Sequence, residues 1–393
     1  MSTPWRHHWQ LDPDLAFLNH GSFGATPRVV LEAQARLRAR MEANPVDFFA
    51  RFLPVALTEA RRQVADWIHA DPEGLVFVPN ASSGVATVLA NATFGPGDEL
   101  LVTDHAYGAC KNAFALAAQR SGARVVTAHI PFPGTTAEAI VASVLAAVTE
   151  RTRLVMLDHV TSPTGLVFPL EALLPHFAAR GIEVLIDGAH APGMVDVDID
   201  HLATLGLTYY AANGHKWPCA AKGAALLWVH AARRDGFHPL VISHGLTAPL
   251  APGQSRFRAE HDWTGTSDPS PYLTWPDAVA FIASLDPQGW AGIRKRNHDL
   301  TVLARDRIAT ALQIAAPADD ALLGSLASFP LPPDLAPELD AMALHTRLFR
   351  EHRVELPIFP WPAAGQRVLR IAIHLHSDLD DVARLIEALA TLR

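Results

Sequence analysis

Val184-Leu185-Ile186-Asp187-Gly188-Ala189-His190 decides the reading of this chain. Three branched apolar residues in succession make a strand buried on both faces, and the acid that closes the run is delivered to its carboxyl edge. Working outward, the same kind of run recurs through residues 74–229. It appears as Leu75-Val76-Phe77-Val78, Glu99-Leu100-Leu101-Val102, Arg124-Val125-Val126-Thr127, Leu154-Val155-Met156-Leu157 and Ala224-Ala225-Leu226-Leu227-Trp228-Val229. Helical patterns at 84–91, 109–121, 137–149 and 170–180 separate these runs. Such alternation predicts an α/β fold with a mostly parallel sheet covered by helices on both faces. Ligands of such sheets sit beyond the carboxyl ends of the strands, so chemistry is sought just after each run.

Beyond this block, amphipathic helices are expected at 29–42 and 48–68. The proline- and glycine-rich stretch 239–276 reads as a long ordered loop or a junction. Helices at 277–285 and 292–312 follow, then a second α+β unit with a helix at 341–352, a strand at 367–374 and a closing helix at 379–392. Residues 317–337 carry five prolines and are expected to be mostly loop. The expected division is an N-terminal segment 1–26, a large domain 27–270 and a small C-terminal domain 271–393. A length of 393 residues agrees with two to three domains at about 150 residues each.

The 32 Lys+Arg against 40 Asp+Glu give a net charge of −8, which offers no general attraction for nucleic acid or an anionic membrane. Hydrophobic residues make up 49% and charged residues 18%, which excludes a disordered chain. Cys110 and Cys219 are too few for a disulfide framework. The polar start Met1-Ser2-Thr3-Pro4-Trp5-Arg6-His7-His8 lacks the apolar core of a signal peptide, and no apolar stretch reaches the length of a spanning helix. A cytoplasmic enzyme is expected. His7-His8 and His374-Leu375-His376 lack a convergent carboxylate or cysteine motif, so no metal site is expected.

Three motifs carry the chemistry. Asp187 ends its strand, although an acid there also caps a following helix. Lys216, in Asn213-Gly214-His215-Lys216-Trp217, follows an apolar run without another charge nearby. A lysine there is either a solvated tip or an amine whose depressed pKa favours imine chemistry. Asn80-Ala81-Ser82-Ser83-Gly84 opens a helix, where backbone N–H groups and the dipole suit a phosphate, though serine is also an ordinary cap. Taken together, a phosphate turn, an acid for a pyridine nitrogen and a lysine for an imine are the needs of pyridoxal 5′-phosphate.

With these motifs the sequence resembles the class V aminotransferases of the fold type I pyridoxal-phosphate enzymes, and within them the isopenicillin N epimerase-like branch. The matching stretches also include Leu18-Asn19-His20-Gly21-Ser22-Phe23-Gly24, Thr103-Asp104-His105-Ala106-Tyr107-Gly108-Ala109, Asp158-His159-Val160-Thr161-Ser162-Pro163-Thr164-Gly165 and Thr264-Gly265-Thr266. The resemblance implies that Lys216 carries the cofactor and Asp187 pairs with its ring nitrogen, while His190 approaches the ring or its 3′-oxygen. It implies that Ala81, Ser82 and Ser83 hold the phosphate with His215 nearby, and that Tyr107, or else His105, stacks on the ring. Thr161 and Ser162 would contact the 3′-oxygen or substrate. Arg370 would bind the substrate carboxylate, with Asn19 and His20 lining the substrate side. Thr266 and its turn would reach the phosphate of a partner subunit, making a homodimer with shared sites.

The chain departs from the branch at Ala372, where relatives often have Ser or Thr, and at His374-Leu375-His376-Ser377, which replaces an aromatic-Asn ending. A different substrate edge is expected there. The implied function is Cα deprotonation of an amino-acid-type substrate, with epimerisation first, C–S lysis of a cysteine conjugate or sulfoxide second and transamination third. A non-catalytic cofactor-binding scaffold is the alternative from another class. Cys219, three residues after Lys216, is read as packing, and residues 220–393 contain no cysteine to accept sulfur as a persulfide.

Overall fold

The computed structural model describes residues 3–392. Its strands are β1 (Ala16–Phe17), β2 (Leu75–Val78), β3 (Glu99–Thr103), β4 (Arg124–Ala128), β5 (Thr152–Asp158), β6 (Glu183–Asp187), β7 (Tyr209–Asn213), β8 (Ala225–Val229), β9 (Leu326–Pro330), β10 (Val354–Glu355), β11 (Ile358–Phe359) and β12 (Val368–Ala372). Seven form one sheet in the order β2-β8-β7-β6-β5-β3-β4. All neighbouring pairs in it are parallel except those of β8, which runs against both β2 and β7.

Alternation along each strand splits the core into two layers. Leu100, Val102, Leu154, Met156 and Leu185 face the helices Ala81–Asn91 and Gly108–Ser121. Leu101, Val155, Leu157, Val184 and Ile186 face Leu53–Trp67, Ala137–Ala146 and Leu170–Ala178. Both faces being covered explains why the runs are continuously apolar. The run at 209–213 is itself a strand, β7, buried throughout. It carries the chain from the sheet centre to Lys216.

A second, antiparallel sheet has the order β11-β12-β9. The helices Gly289–Leu312, Ala341–His352 and Leu379–Ala390 cover it through Ile308, Leu344 and Leu385. Residues 317–337 are mostly loop, as expected, but they also contain β9. Leu326-Ala327-Ser328-Phe329 extends alongside β12, and Pro330 stands at the strand end, where no ladder donor is lost beyond it. The prolines punctuate this segment without preventing the strand. β1 pairs in parallel with β10, which stitches the N-terminal segment to the second sheet. No helix among the described residues is long and apolar enough to cross a membrane.

Segment 19–24 crosses from that stitch to the lysine turn, and Gly24 makes the approach possible. Its φ of 67° and ψ of 159° lie in a region that is essentially glycine-only. A Cβ there would stand 2.1 Å from the His215 carbonyl oxygen. Gly24→Ala should therefore destabilise the protein by on the order of 2 kcal/mol or more. Urea denaturation checks this, and an unchanged midpoint would remove the constraint.

Candidate active site

The carboxyl ends of β5, β6 and β7 meet the start of helix Ala81–Asn91 around a cavity of about 330 Å³. Asp187 closes β6 at its floor and is 4% exposed. Its Oδ1 accepts from the Ala189 N–H at 3.0 Å and its Oδ2 from the Cys110 thiol at 3.4 Å. Burial raises its pKa, against the pull of the Ala189 N–H and the Lys216 charge. Asp158 ends β5 directly beside it, in register with Asp187. Asp158 also lines the cavity, and its buried Oδ2 has no hydrogen-bond partner among the described residues. Burial and then the Asp187 charge push its carboxyl well above the usual range. Two carboxyls in one dry site resist ionising together, so this pair favours a single negative charge.

Lys216 sits on the turn that follows β7. The turn is fixed because the Ala220 N–H donates to Gly214 and the Gly214 N–H to Ala224, at 2.9 Å each. The lysine Nζ lies 3.0 Å from His190 Nε2. Burial and then the Arg370 charge bring its pKa down to about 8. An amine in that range is a nucleophile and a proton acceptor near neutral pH.

Arg370 stands in the middle of β12 and is 1% exposed. Its Nη1 donates to the Ser162 carbonyl at 2.5 Å and its Nη2 to Ser22 Oγ at 3.3 Å. Its Nε is buried with no partner among the described residues. Phe359 lies 5.1 Å beneath the guanidinium. Burial lowers its pKa to about 10, still cationic at neutral pH. A buried cation held by neutral oxygens can take an anion.

The helix end is built for a second anion. Asn80 caps it by accepting from the Ser83 N–H at 2.8 Å, and Asn213 Oδ1 accepts from the Ala81 N–H at 2.9 Å. Ala81 and Ser82 thus line the cavity at the positive end of an eleven-residue helix. His215 donates Nδ1–H to the Ala224 carbonyl at 2.9 Å, so its other nitrogen is its remaining polar atom.

Several expected residues lie elsewhere. Tyr107 lines the cavity, whereas His105 is buried on Thr164 Oγ1 and the Ile130 carbonyl, edge-on to Trp361. Ser162 lines the cavity, but Thr161 Oγ1 is engaged inside its own turn by the Leu166 N–H and Thr164. Ser83 lines a neighbouring cavity together with Thr264 and Gly265, and Thr266 lines neither. Asn19 is drawn away by Glu355 and Ser22. His20 is wholly buried behind the lysine turn. Among the polar lining residues, Asp158, Ser22 and Asn213 carry no sequence-based assignment. Asp158 and Asn213 end strands, which was the signal available for them.

Behind Lys216, His20 Nε2–H donates to the Lys216 carbonyl at 3.0 Å, so its Nδ1 accepts from His376 Nε2–H at 3.0 Å. His374 donates to the Trp217 carbonyl at 3.2 Å. Donor atoms of His20, Cys219 and His374 fall within 4.8 Å of one another, a spacing compatible with metal ligands. However, the His20 and His374 rings stack 4.3 Å apart at 24°. Their planes meet far beyond the ~2 Å reach of an imidazole–metal bond, so they cannot share an ion in this arrangement.

A single-charge carboxyl pair, a sheltered amine, a buried cation and a helix start fit a phosphorylated pyridine aldehyde that reacts with an amino acid. The family model for Aminotransferase class-V matches residues 18–385. The chain belongs to the class V aminotransferase family. It is 33% identical to isopenicillin N epimerase of Amycolatopsis lactamdurans, with 100% of this chain and 99% of the relative aligned. It is 28% identical to L-cysteine desulfhydrase of Arabidopsis thaliana, over 91% and 80% of the two chains. Among solved structures, the cystine C–S lyase C-DES, in complex with cysteine persulfide, superposes with a TM-score of 0.79 at 21% identity, covering 97% and 98%. The chain is thus a fold type I enzyme that uses pyridoxal 5′-phosphate.

Burial has a measurable consequence for this site and its backing. His20, His190 and His376 are held well below the ordinary histidine range, His159 and His215 at about 4 and His374 at about 3. The unfolded chain titrates near 6.5, so below that pH it binds protons the folded protein refuses. Stability should be insensitive to these groups above pH 6.5. It should fall as pH drops toward 4, by about 2 kcal/mol per neutral histidine at pH 5. Equal urea midpoints at pH 7.5 and 5 would contradict this.

Proposed function

We propose that this enzyme removes the Cα proton of an α-amino acid and returns a proton to the same carbon from the opposite side, as an epimerase or racemase. The observation that carries the reading is a near-neutral amine, Lys216, on the cavity wall, with a buried guanidinium, Arg370, bound to the cavity-lining Ser162 and Ser22 and without a carboxylate partner among the described residues. Arg370 would hold the substrate carboxylate in a fixed orientation. Asp187, as the single anion of its pair, would keep the proton on the cofactor's ring nitrogen. Ser82, the start of helix Ala81–Asn91 and His215 would hold the phosphate. Pyridoxal phosphate, when bound to Lys216, supplies the electron sink that makes the Cα proton acidic. Freed by the incoming amino group, Lys216 Nζ accepts that proton. Tyr107, 48% exposed on the cavity wall, would return one from its hydroxyl. The resemblance to isopenicillin N epimerases over the full chain supports this reading.

A second reading, β-elimination of a sulfur leaving group, is favoured by the desulfhydrase relatives. It needs Lys216 but no second proton-transferring group. Sulfur would then leave directly with the substrate fragment. Cys110 and Cys219 are both buried, and burial pushes their thiols up, so neither offers a thiolate to accept it. A homodimer belongs to either reading. Leu240, Val241 and Ile242 are each more than half exposed in the stretch that leads to Thr264-Gly265-Thr266, and an apolar surface of this kind suits a second copy.

Turnover of L- and D-amino acids and cysteine conjugates in D₂O separates the outcomes. Epimerisation gives Cα-deuterated product of both configurations. Elimination gives pyruvate with a sulfur fragment, and transamination gives a keto acid with intact nitrogen balance. Detecting neither Cα exchange nor pyruvate with any substrate would defeat both readings. Lys216→Ala should lose the borohydride-reducible cofactor adduct along with turnover. Arg370→Ala should weaken carboxylate-bearing substrates by on the order of 2–5 kcal/mol and spare amines that lack the carboxylate. An equal loss for both classes would leave Arg370 a structural role only.

A further inference from the structure

The indole N–H of Trp217 lies 3.3 Å from His190 Nδ1, and both side chains are buried. An indole nitrogen has a proton to give and no lone pair to receive one. His190 Nδ1 must therefore be the acceptor and carry no hydrogen. A neutral imidazole has a single N–H, which then resides on Nε2. That nitrogen points at Lys216 Nζ, 3.0 Å away. The lysine is consequently the acceptor, which requires its amine to be the free base.

We propose that Trp217 is a positioning residue that locks His190 as the neutral Nε2–H imidazole, so that His190 offers the cavity a fixed hydrogen-bond donor and neither takes nor releases a proton. A second proton on Nδ1 would face the indole N–H, donor against donor, at a buried contact. The charged groups around His190 act in the same direction. Arg370 on β12 opposes a positive ring, as would Lys216 on the lysine turn whenever its amine is protonated. Asp187, three residues earlier on its own segment, is engaged by Ala189 and Cys110. Release of the Nε2 proton would leave an imidazolate, a form far out of reach of a neutral imidazole near neutral pH. Among the described residues at the buried end of the cavity, that leaves Lys216 and the Asp187–Asp158 pair as the groups able to exchange a proton. A proton delivered elsewhere has to come from the mouth, where Tyr107 stands. The inference rests on the pyridoxal-phosphate assignment, but not on the choice between epimerisation and elimination.

The test is nitrogen NMR of the holoenzyme labelled with ¹⁵N-histidine, with the His190 signals identified by their loss in His190→Gln. The expected spectrum shows one protonated and one unprotonated ring nitrogen, Nε2 and Nδ1 respectively, unchanged from about pH 6 to about pH 9. Trp217→Phe keeps a ring in the space and removes the donor. In that variant His190 should populate both tautomers, and its ring should titrate inside that pH window. The pH profile of kcat/KM should gain an ionisation that the wild type lacks. An imidazolium, an Nδ1–H tautomer or a titrating His190 in the wild type would overturn the proposal, whether or not Trp217→Phe folds. Unaltered His190 signals in a folded Trp217→Phe protein would overturn it equally. Failure to load cofactor at all would instead count against the enzyme assignment on which it rests.

Discussion

The Asp187 carboxyl is kept dry without a salt bridge, and the rest of the molecule is arranged around that condition. A carboxylate in this position is costly unless something cationic comes to it. Its immediate partners, an amide and a thiol, are weak substitutes. Asp158 in register beside it makes a second negative charge costlier still. The floor of the cavity therefore stores a preference for a protonated ring nitrogen. The parallel sheet creates it, because only adjacent parallel strands ending level with one another bring two such residues side by side.

Arg370 is the mirror image of this arrangement. It is a buried cation on the other sheet, held by a carbonyl and hydroxyls of the cavity-lining Ser162 and Ser22. The two sheets thus contribute opposite unmet charges. Lys216 lies between them, and its amine is pushed toward neutrality by burial and by Arg370. A ligand carrying a pyridine nitrogen at one end and an amino-acid carboxylate at the other satisfies both. Neither sheet alone would discriminate such a ligand from its parts.

How much of this is legible in the sequence follows from how local each cause is. The strands β2, β3, β5, β6 and β8 show because burial on both faces writes itself as an apolar run, and the edge strand β4 shows through its paired valines. Asp187, Lys216 and Arg370 show because each stands at or within such a run. Asp158 ends a run as well, yet its importance comes from register with a strand whose sequence lies well downstream. Thr161 and Ser162 are neighbours on one turn, and only tertiary contact decides that Ser162 meets Arg370 while Thr161 closes the turn. β9 is hidden because prolines crowd its window, and Leu326-Ala327-Ser328-Phe329, buried throughout, is too short a run to stand out. Asn19 and His20 lie close to the cavity-lining Ser22, and the direction each side chain takes is set by Glu355 and by the lysine turn, both remote in sequence.

The departures near the C-terminus gain a physical meaning from the same contacts. Ala372 faces Gly21: a Cβ on that glycine would already lie 3.5 Å from the alanine methyl, and the Ala372 N–H donates to the Leu18 carbonyl at 2.8 Å. A hydroxyl-bearing residue there would have to find a partner in an apolar seam. His374 and His376 do not reach the cavity. Both are wholly buried, and they join His20 in holding the carbonyls of Trp217 and Lys216. The unusual residues are thus directed at the back of the lysine turn and not at the substrate edge. A lattice of neutral imidazoles can fix those carbonyls without placing a charge behind Lys216. A lysine or arginine in the same role would add a second cation close to an amine that has to remain near neutrality. The histidines are the residue type that supplies N–H donors there while leaving the electrostatics of the reacting nitrogen to Asp187 and Arg370.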